Sequence, residues 1–463
     1  MVTARSQSDD RKRILILTAD AGSGHRSVSL AIEAAMQEQY GDRCATAIIN
    51  PLREEGSPGI YQTVTEQSYD DLVQNDPGLY ELTYWVSDSI ATAAIIEQIS
   101  SALLHSTLKH IMEQHHPDVV VCTHPLYLEP LNFVFARIGK TVPLVTVVTD
   151  LVTVHTIWFN PRVSLCLTPT KQARKKALRN GVPRDRIRVT GLPVHPRFGA
   201  ETRPPAEIRA ELGWETDAVT VLIVGGTRVA NVLKIARLID RTGMRIQLVV
   251  VAGGDEALYA QLADEPWHGN VHVYGFAGNM PALIRASDVV VTKAGGIIVS
   301  ETLACGRPLI LSSAIPGQET GNAEYVTAGG AGDWADSPPD VLASLVHWLE
   351  PDTTVLEERT AKARRLGRPD AVYRTADLIW EMANSDPMPA PRDINLRSAA
   401  RLPLLASAQV SRAIDRLEQE MRDVTDTEMA KLAAWCVNQI ETTSELERIG
   451  KALRRRMNRL GSR

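Results

Sequence analysis

Short runs of β-branched and aliphatic residues recur along the chain, each followed by a turn and then by a stretch with helical spacing. They are ILILT (14–18), DVVVCT (118–123), PLVTVVTD (143–150), VTVLIVGG (219–226), IQLVVVAGG (246–254), NVHVYG (270–275), DVVVTKAGG (288–296) and PLILSS (308–313). The runs are continuous rather than alternating, which marks strands buried on both faces. Their alternation with helices implies an α/β fold of parallel sheets joined by right-handed crossovers. In GLPVHPRFGAETRPPAEI (191–208), prolines and glycines interrupt both periodicities and divide the strands into two sets. The expected architecture is two doubly wound, Rossmann-like domains facing a cleft, residues 1–195 and 196–386, with ligands beyond the carboxyl ends of the strands.

Two segments stand outside this pattern. A mostly helical insertion is expected over about 60–114, and in it Tyr80, Tyr84 and Trp85 fall on one helical face. That spacing favours core packing, with a grip on an apolar acceptor or a bilayer interface as the alternative. From 387 a proline-rich linker leads into a helical tail whose last thirteen residues, KALRRRMNRLGSR, carry Lys451, Arg454, Arg455, Arg456, Arg459 and Arg463. A solvated helix face is the default reading of such a charge run, and docking on anionic lipid is the other.

Composition narrows the function classes. A formal net charge of -5 on 463 residues gives no general reason to expect nucleic acid. Cys44, Cys122, Cys166, Cys305 and Cys436 form no C-x-x-C pair, so they read as buried or free thiols in a reducing compartment rather than as a disulfide framework or zinc site. The polar start MVTARSQSDDRKR lacks the apolar core of a secretory signal. No run reaches the ~18 apolar residues of a spanning helix. The expectation is a soluble protein, or one that lies on a membrane.

The first strand leads into ADAGSGHR (19–26), a glycine turn that opens a helix. It lacks the dinucleotide fingerprint: Gly22 and Gly24 are followed by Ser27 where a third glycine belongs, and the next apolar stretch ends in Asn50 rather than an acid. No G-x-x-x-x-G-K-[ST] loop is present. What remains is a helix N-terminus that favours an anion, with His25 beside it. A histidine there can take a proton from a hydroxyl at neutral pH, or can simply cap the turn, and the local sequence leaves both open.

The second half carries a matching turn. Backbone N–H groups at Gly295, Gly296 and Ile297 can meet phosphate oxygens, because glycine permits close approach. Glu301, about one turn into the helix, can accept hydrogen bonds from vicinal ribose hydroxyls. PGQETGN (316–322) then gathers Gln318, Glu319 and Asn322 after a strand end, more polar groups than a capping loop needs.

ADAGSGHR, VVTDLVTVHTIWF, GLPVHPRF, VGG, YGF, TKAGG, SETLACGRPLIL and PGQETGN occur in the order seen in monogalactosyldiacylglycerol synthases and the related processive diacylglycerol glucosyltransferases, which this sequence resembles over roughly 13–340. The resemblance implies an inverting glycosyltransferase of the GT-B fold, a cousin of the bacterial peptidoglycan-precursor N-acetylglucosaminyltransferase. It implies that the first domain binds the acceptor on the membrane side and the second binds a UDP-sugar. By the same resemblance His25 is the base on the acceptor hydroxyl, or its close helper, and Gly22, Gly24, Asp150, His155 and Trp158 shape the acceptor side and the cleft. Glu301 holds ribose; Gln318, Glu319 and Asn322 read sugar hydroxyls; Phe276 meets uracil mainly through its backbone. Gly225, Gly226, Thr227, Lys293, Gly295, Gly296 and Ile297 complete the donor side. Two loops depart from the family pattern. GGTRVAN (225–231) places Thr227 and Arg228 where relatives have glycine, and KAGGIIV lacks the usual proline and threonine. A hydroxyl and a guanidinium still serve phosphate.

The expected reaction moves a hexose, galactose or glucose, from a UDP-sugar to diacylglycerol. Neither cofactor nor metal is needed, since backbone donors and helix termini meet the leaving diphosphate. The expected location is cytoplasmic, peripheral on the inner face of an anionic membrane. A polyprenyl-linked or soluble acceptor, a UDP-sugar epimerase and a non-catalytic nucleotide-sugar-binding scaffold are the competing readings.

Overall fold

The computed structural model describes residues 11–20, 24–54, 57, 88, 90–139, 141–350 and 353–385. Gly22, the aromatic face at Tyr80, Tyr84 and Trp85, Cys436 and the basic tail lie outside the described residues.

Two six-stranded parallel sheets form the scaffold. The first contains β1 (Lys12–Leu17), β2 (Cys44–Ile49), β3 (Val119–Cys122), β4 (Leu144–Val147), β5 (Leu165–Thr168) and β6 (Ile187–Val189), in the order β2-β1-β3-β4-β5-β6. The second contains β7 (Val219–Val224), β8 (Ile246–Val251), β9 (Asn270–Tyr274), β10 (Val289–Lys293), β11 (Leu309–Ser313) and β12 (Gly332–Trp334), in the order β12-β11-β10-β7-β8-β9. All eight apolar runs are strands. β3 and β4 are buried at every position, as helices on both faces of a parallel sheet require.

Strand order reverses between β1 and β3 in the first sheet and between β7 and β10 in the second. Crossovers on either side of such a point leave the sheet in opposite directions, which opens a crevice at the carboxyl ends. The His25 turn follows β1, the Gly225-Gly226 turn follows β7 and the Gly295-Gly296 turn follows β10. These three glycine turns therefore sit at the switch points.

The described part of the insertion is Asp88 and one helix, Ile90–His115, which buries Leu104, Leu108 and Ile111 against the first domain. Among the described residues no helix is long and apolar enough to cross a membrane. Cys44, Cys122, Cys166 and Cys305 are free and buried.

The chain crosses between the halves twice. The helix Ala371–Ala383 returns to the first sheet and lies along the helix Gly24–Tyr40. Tyr40 and Trp380 stack with centroids 4.4 Å apart, and the Tyr40 and Tyr373 hydroxyls each donate over 2.7 Å, to Asp377 and Glu38. One apolar cluster joins the halves: Leu151 and Leu192 pack with Ala294, Val299, Ala363 and Val372.

The outgoing and returning segments meet at Gly191, whose φ is +94° and where a Cβ would lie 2.8 Å from that of Arg368 and 2.9 Å from that of Ala371. Only glycine suits both that backbone and that approach. Gly191→Val is expected to cost about 1–3 kcal/mol from backbone strain alone, lowering the denaturant midpoint. An unchanged midpoint would show that the two crossings are not tightly packed.

Candidate functional site

His25 stands in the first turn of the helix Gly24–Tyr40, half-buried. Its Nδ1 lies 2.8 Å from the Thr123 carbonyl oxygen and 2.9 Å from Thr149 Oγ1. A carbonyl only accepts, so Nδ1 carries the proton and Nε2 keeps its lone pair. Burial lowers the pKa to about 4, against the opposing hydrogen bond to Thr123. The imidazole is therefore neutral at physiological pH, in the tautomer a general base needs. His124 meets its ring edge-on, centroids 4.7 Å apart, and Trp158 lies 6.0 Å away.

The segment after β4 lines the same cleft. Asp150 accepts the Trp158 indole N–H over 2.8 Å and takes further hydrogen bonds from the Gln318 side chain and the His155 backbone. Burial raises its carboxyl to about 6, and those three donors restrain the rise. Trp158 is buried at 1% exposure. The His155 side chain accepts from Ile157 N over 3.3 Å and so caps the short helix Thr156–Trp158. Both groups thus hold the loop that carries Asp150.

Across the cleft, Gly225 follows β7 and donates its N–H to Val251 O over 2.7 Å. A Cβ there would meet that same oxygen at 2.9 Å, so the position must stay bare. Gly226, at φ +145°, has nothing within 4 Å of its Cβ position, and Thr227 is exposed. This turn lies beside the Gly295-Gly296 turn, since Thr292 Oγ1 at the end of β10 donates to Val224 O over 3.3 Å.

Gly295 caps the helix Gly296–Ala304, whose first N–H groups have no partner within the helix. A Cβ on Gly295 would lie 3.3 Å from Lys293 Nζ and 3.5 Å from Glu319 Oε1, which form an ion pair. Ile297 reaches the first domain: its Cγ1 lies 3.4 Å from where a Cβ on Gly24 would be. The carboxyl of Glu301, further along the helix, has no hydrogen-bond or ion-pair partner among the described residues, and burial raises its pKa to about 8.

Glu319 Oε2 accepts from Ile315 N over 3.0 Å, so both carboxylate oxygens brace the 315–319 loop. Asn322 donates to the Ala294 carbonyl over 2.9 Å, while its own Oδ1 is buried without a partner among the described residues. These two hold the loop in shape, and Gln318 faces Asp150. Phe276, after β9, is 86% exposed at the edge of the sheet.

Sequence reasoning missed Thr123, His124 and Thr149, which orient or pack against His25. Thr123 and Thr149 are ordinary strand-end residues in sequence, and nothing local marks them. His124 stands beside a proline in CTHPL, and it alone carried a visible signal.

Residues 25–194 match the family model described as monogalactosyldiacylglycerol (MGDG) synthase, and residues 220–374 match that of the glycosyltransferase family 28 C-terminal domain. The chain is 32% identical over 389 residues to the chloroplastic monogalactosyldiacylglycerol synthase of Spinacia oleracea, covering 81% of this chain and 73% of the relative. It is 31% identical over 387 residues to monogalactosyldiacylglycerol synthase 1 of Arabidopsis thaliana, covering 81% and 72%. Among solved structures, UDP-bound MnaA of S. aureus matches with a TM-score of 0.53 at 14% identity, covering 81% of this chain and 97% of that one. A UDP-GlcNAc 2-epimerase from Neisseria meningitidis matches with a TM-score of 0.50 at 14% identity, covering 80% and 98%. At such identities the structural matches speak for the two-domain fold alone.

Proposed function

The chain belongs to the monogalactosyldiacylglycerol synthase family, and from that premise we propose that it is a UDP-sugar glycosyltransferase that attaches a hexose, galactose or glucose, in β linkage to the 3-hydroxyl of 1,2-diacylglycerol. The observation that carries the mechanism is His25: Nδ1–H is bound to a carbonyl, leaving a basic nitrogen beside the donor helix.

In this reading Nε2 takes the acceptor hydroxyl proton as the oxygen attacks the anomeric carbon, and the bond to the UDP oxygen breaks on the opposite face. Inversion follows from that single displacement. The leaving diphosphate is met by the open N–H groups at Gly295, Gly296 and Ile297, by the Gly226-Thr227 turn and by Lys293. This reading asks for no metal or other cofactor. A pKa near 4 makes a weak base, but the bound diphosphate is an anion across a narrow gap and raises it, strengthening His25 when the donor is present. Glu301 takes the ribose hydroxyls, the Phe276 backbone meets the base, and Gln318, held within the loop braced by Glu319 and Asn322, reads the sugar. Donor consumption by purified protein in detergent-solubilised lipid tests the reading. It should require diacylglycerol; equal consumption without any acceptor would favour an epimerase or hydrolase.

A lipid acceptor brings the protein to a bilayer, and the first domain has a surface suited to an anionic one. The helix Lys171–Arg179 carries five basic residues and no acid. Lys171, Lys175 and Arg179 are exposed, as are Arg184 and Arg188 just beyond. Thr170 ties the start of this helix to the cleft by donating to Leu151 O over 3.0 Å. The membrane is thus proposed to meet the acceptor side of the cleft, with the protein peripheral on the inner, cytoplasmic face. At about 1 kcal/mol per basic residue, Lys171→Glu with Lys175→Glu should weaken binding to anionic liposomes about 30-fold or more. UDP affinity should not change, and undiminished liposome binding would exclude this surface.

A further inference from the structure

The segment after β4 touches both halves of the site with consecutive residues. Thr149 Oγ1 lies 2.9 Å from His25 Nδ1, and the Asp150 carboxylate is hydrogen-bonded to the Gln318 side chain from across the cleft. The surrounding surfaces fit closely. A Cβ on Gly321 would fall 2.3 Å from Thr153 Oγ1, and one on Gly296 would lie 3.4 Å from Leu151 Cβ. The donor-side loop is therefore seated directly on the segment that holds the base.

A carboxylate only accepts hydrogen bonds, so Gln318 must present its amide nitrogen to Asp150. The two ends of that amide are then not interchangeable. We propose that Asp150 is a positioning residue that anchors Gln318 by its nitrogen and turns its carbonyl oxygen toward the donor sugar, so that a sugar hydroxyl must donate to it and can be read only while the two domains are closed. Trp158 and the His155 backbone N–H hold the carboxylate from the first domain, which ties donor reading to the acceptor wall. This inference rests on the proposed role of Gln318 at the donor sugar.

The test is a double-mutant cycle in the full chain with Asp150→Asn, Gln318→Glu and both together. It is read as the KM for UDP-hexose, as calorimetric affinity for UDP-hexose and for UDP alone, and as the thermal midpoint. Gln318→Glu sets two carboxylates face to face and should weaken UDP-hexose by about 30-fold, and Asp150→Asn by about tenfold. The double change restores a donor facing an acceptor, with the roles reversed, and should recover at least about tenfold of the combined loss, within the range of coupling between touching residues. UDP alone should move by less than about threefold throughout, because it lacks the sugar. Multiplicative losses without recovery, or equal losses for UDP and UDP-hexose, would overturn the proposal. Should Asp150→Asn lower the thermal midpoint sharply, Gln318→Ala decides: it should weaken UDP-hexose and spare UDP, and unchanged UDP-hexose affinity would overturn the proposal. Failure of the wild type to glycosylate diacylglycerol would count against the proposed function and leave this binding cycle readable.

Discussion

His25→Ala is expected to lower hexose transfer by about 10²–10⁴-fold, the usual contribution of a general base, while UDP affinity stays within about twofold. The separation follows from geometry. His25 belongs to the first sheet and is held by Thr123 and Thr149, whereas the groups assigned to UDP stand on the second. The pH profile carries a second signature. A base must be deprotonated to act, and burial sets this one at about 4. The acid limb due to His25 in kcat/KM for UDP-hexose, which reports the donor-free protein, should therefore fall near pH 4, well below the ~6.5 of a free imidazole. His25→Asn, which keeps a polar side chain at Thr123 but has no basic nitrogen, should be as slow as the alanine variant. Near-normal turnover in either would remove His25 as the base.

Glu301 should control the donor. Its carboxyl is raised to about 8 and has no hydrogen-bond or ion-pair partner among the described residues, so it costs the free protein something to ionise it. Ribose hydroxyls would supply the missing donors. Hydrogen bonds to a charged group are worth about 1.5–3 kcal/mol, so Glu301→Ala should weaken UDP by about 10- to 150-fold. The sign of the proton linkage follows from the same shift. Below pH 8 the free protein holds the proton, and bound hydroxyls favour the ionised form, so UDP binding should release protons at pH 7 and tighten as pH rises toward 8. Calorimetry in buffers of different ionisation enthalpy measures the release directly. Glu301→Gln should abolish it, and a release that survives in that variant would place the titrating group elsewhere.

Much of the fold was legible because strands buried on both faces must be apolar throughout. β3 and β10 stand out for that reason, and so do the glycine turns that end the switch-point strands. β5 is buried throughout like β3, but Leu165-Cys166-Leu167 lacks the β-branched residues that mark the other strands. β6 alternates from buried Ile187 to exposed Arg188 and Val189, and β12 is Gly-Asp-Trp at an edge, so neither carries a continuous apolar run. The return of the helix Ala371–Ala383 to the first sheet is equally silent in sequence, since its apolar face says that it packs and not against what.

The site divides in a similar way. Local spacing put His25 at a helix start and Glu301 one turn inside another, because those positions follow from strand-turn-helix geometry. Which His25 nitrogen carries the proton depends on a carbonyl 98 residues away. The pairing of Lys293 with Glu319 depends on the neighbouring strand ends of β10 and β11, and that of Asp150 with Gln318 on side chains that only the closed cleft brings together. Asn322 read as a sugar ligand by motif, yet the fold buries it beneath the loop, bonded to Ala294 O. Local pattern marks where chemistry is housed, and tertiary contact sets what each group is free to do.

The most direct test of the account is the lipid product made by purified full-length protein from diacylglycerol liposomes and separately labelled UDP-galactose and UDP-glucose. Label from one donor or both is expected in a β-hexosyl-diacylglycerol, formed only when diacylglycerol is present and lost in His25→Ala. No labelled glycolipid from either donor, or an α-linked product, would contradict it.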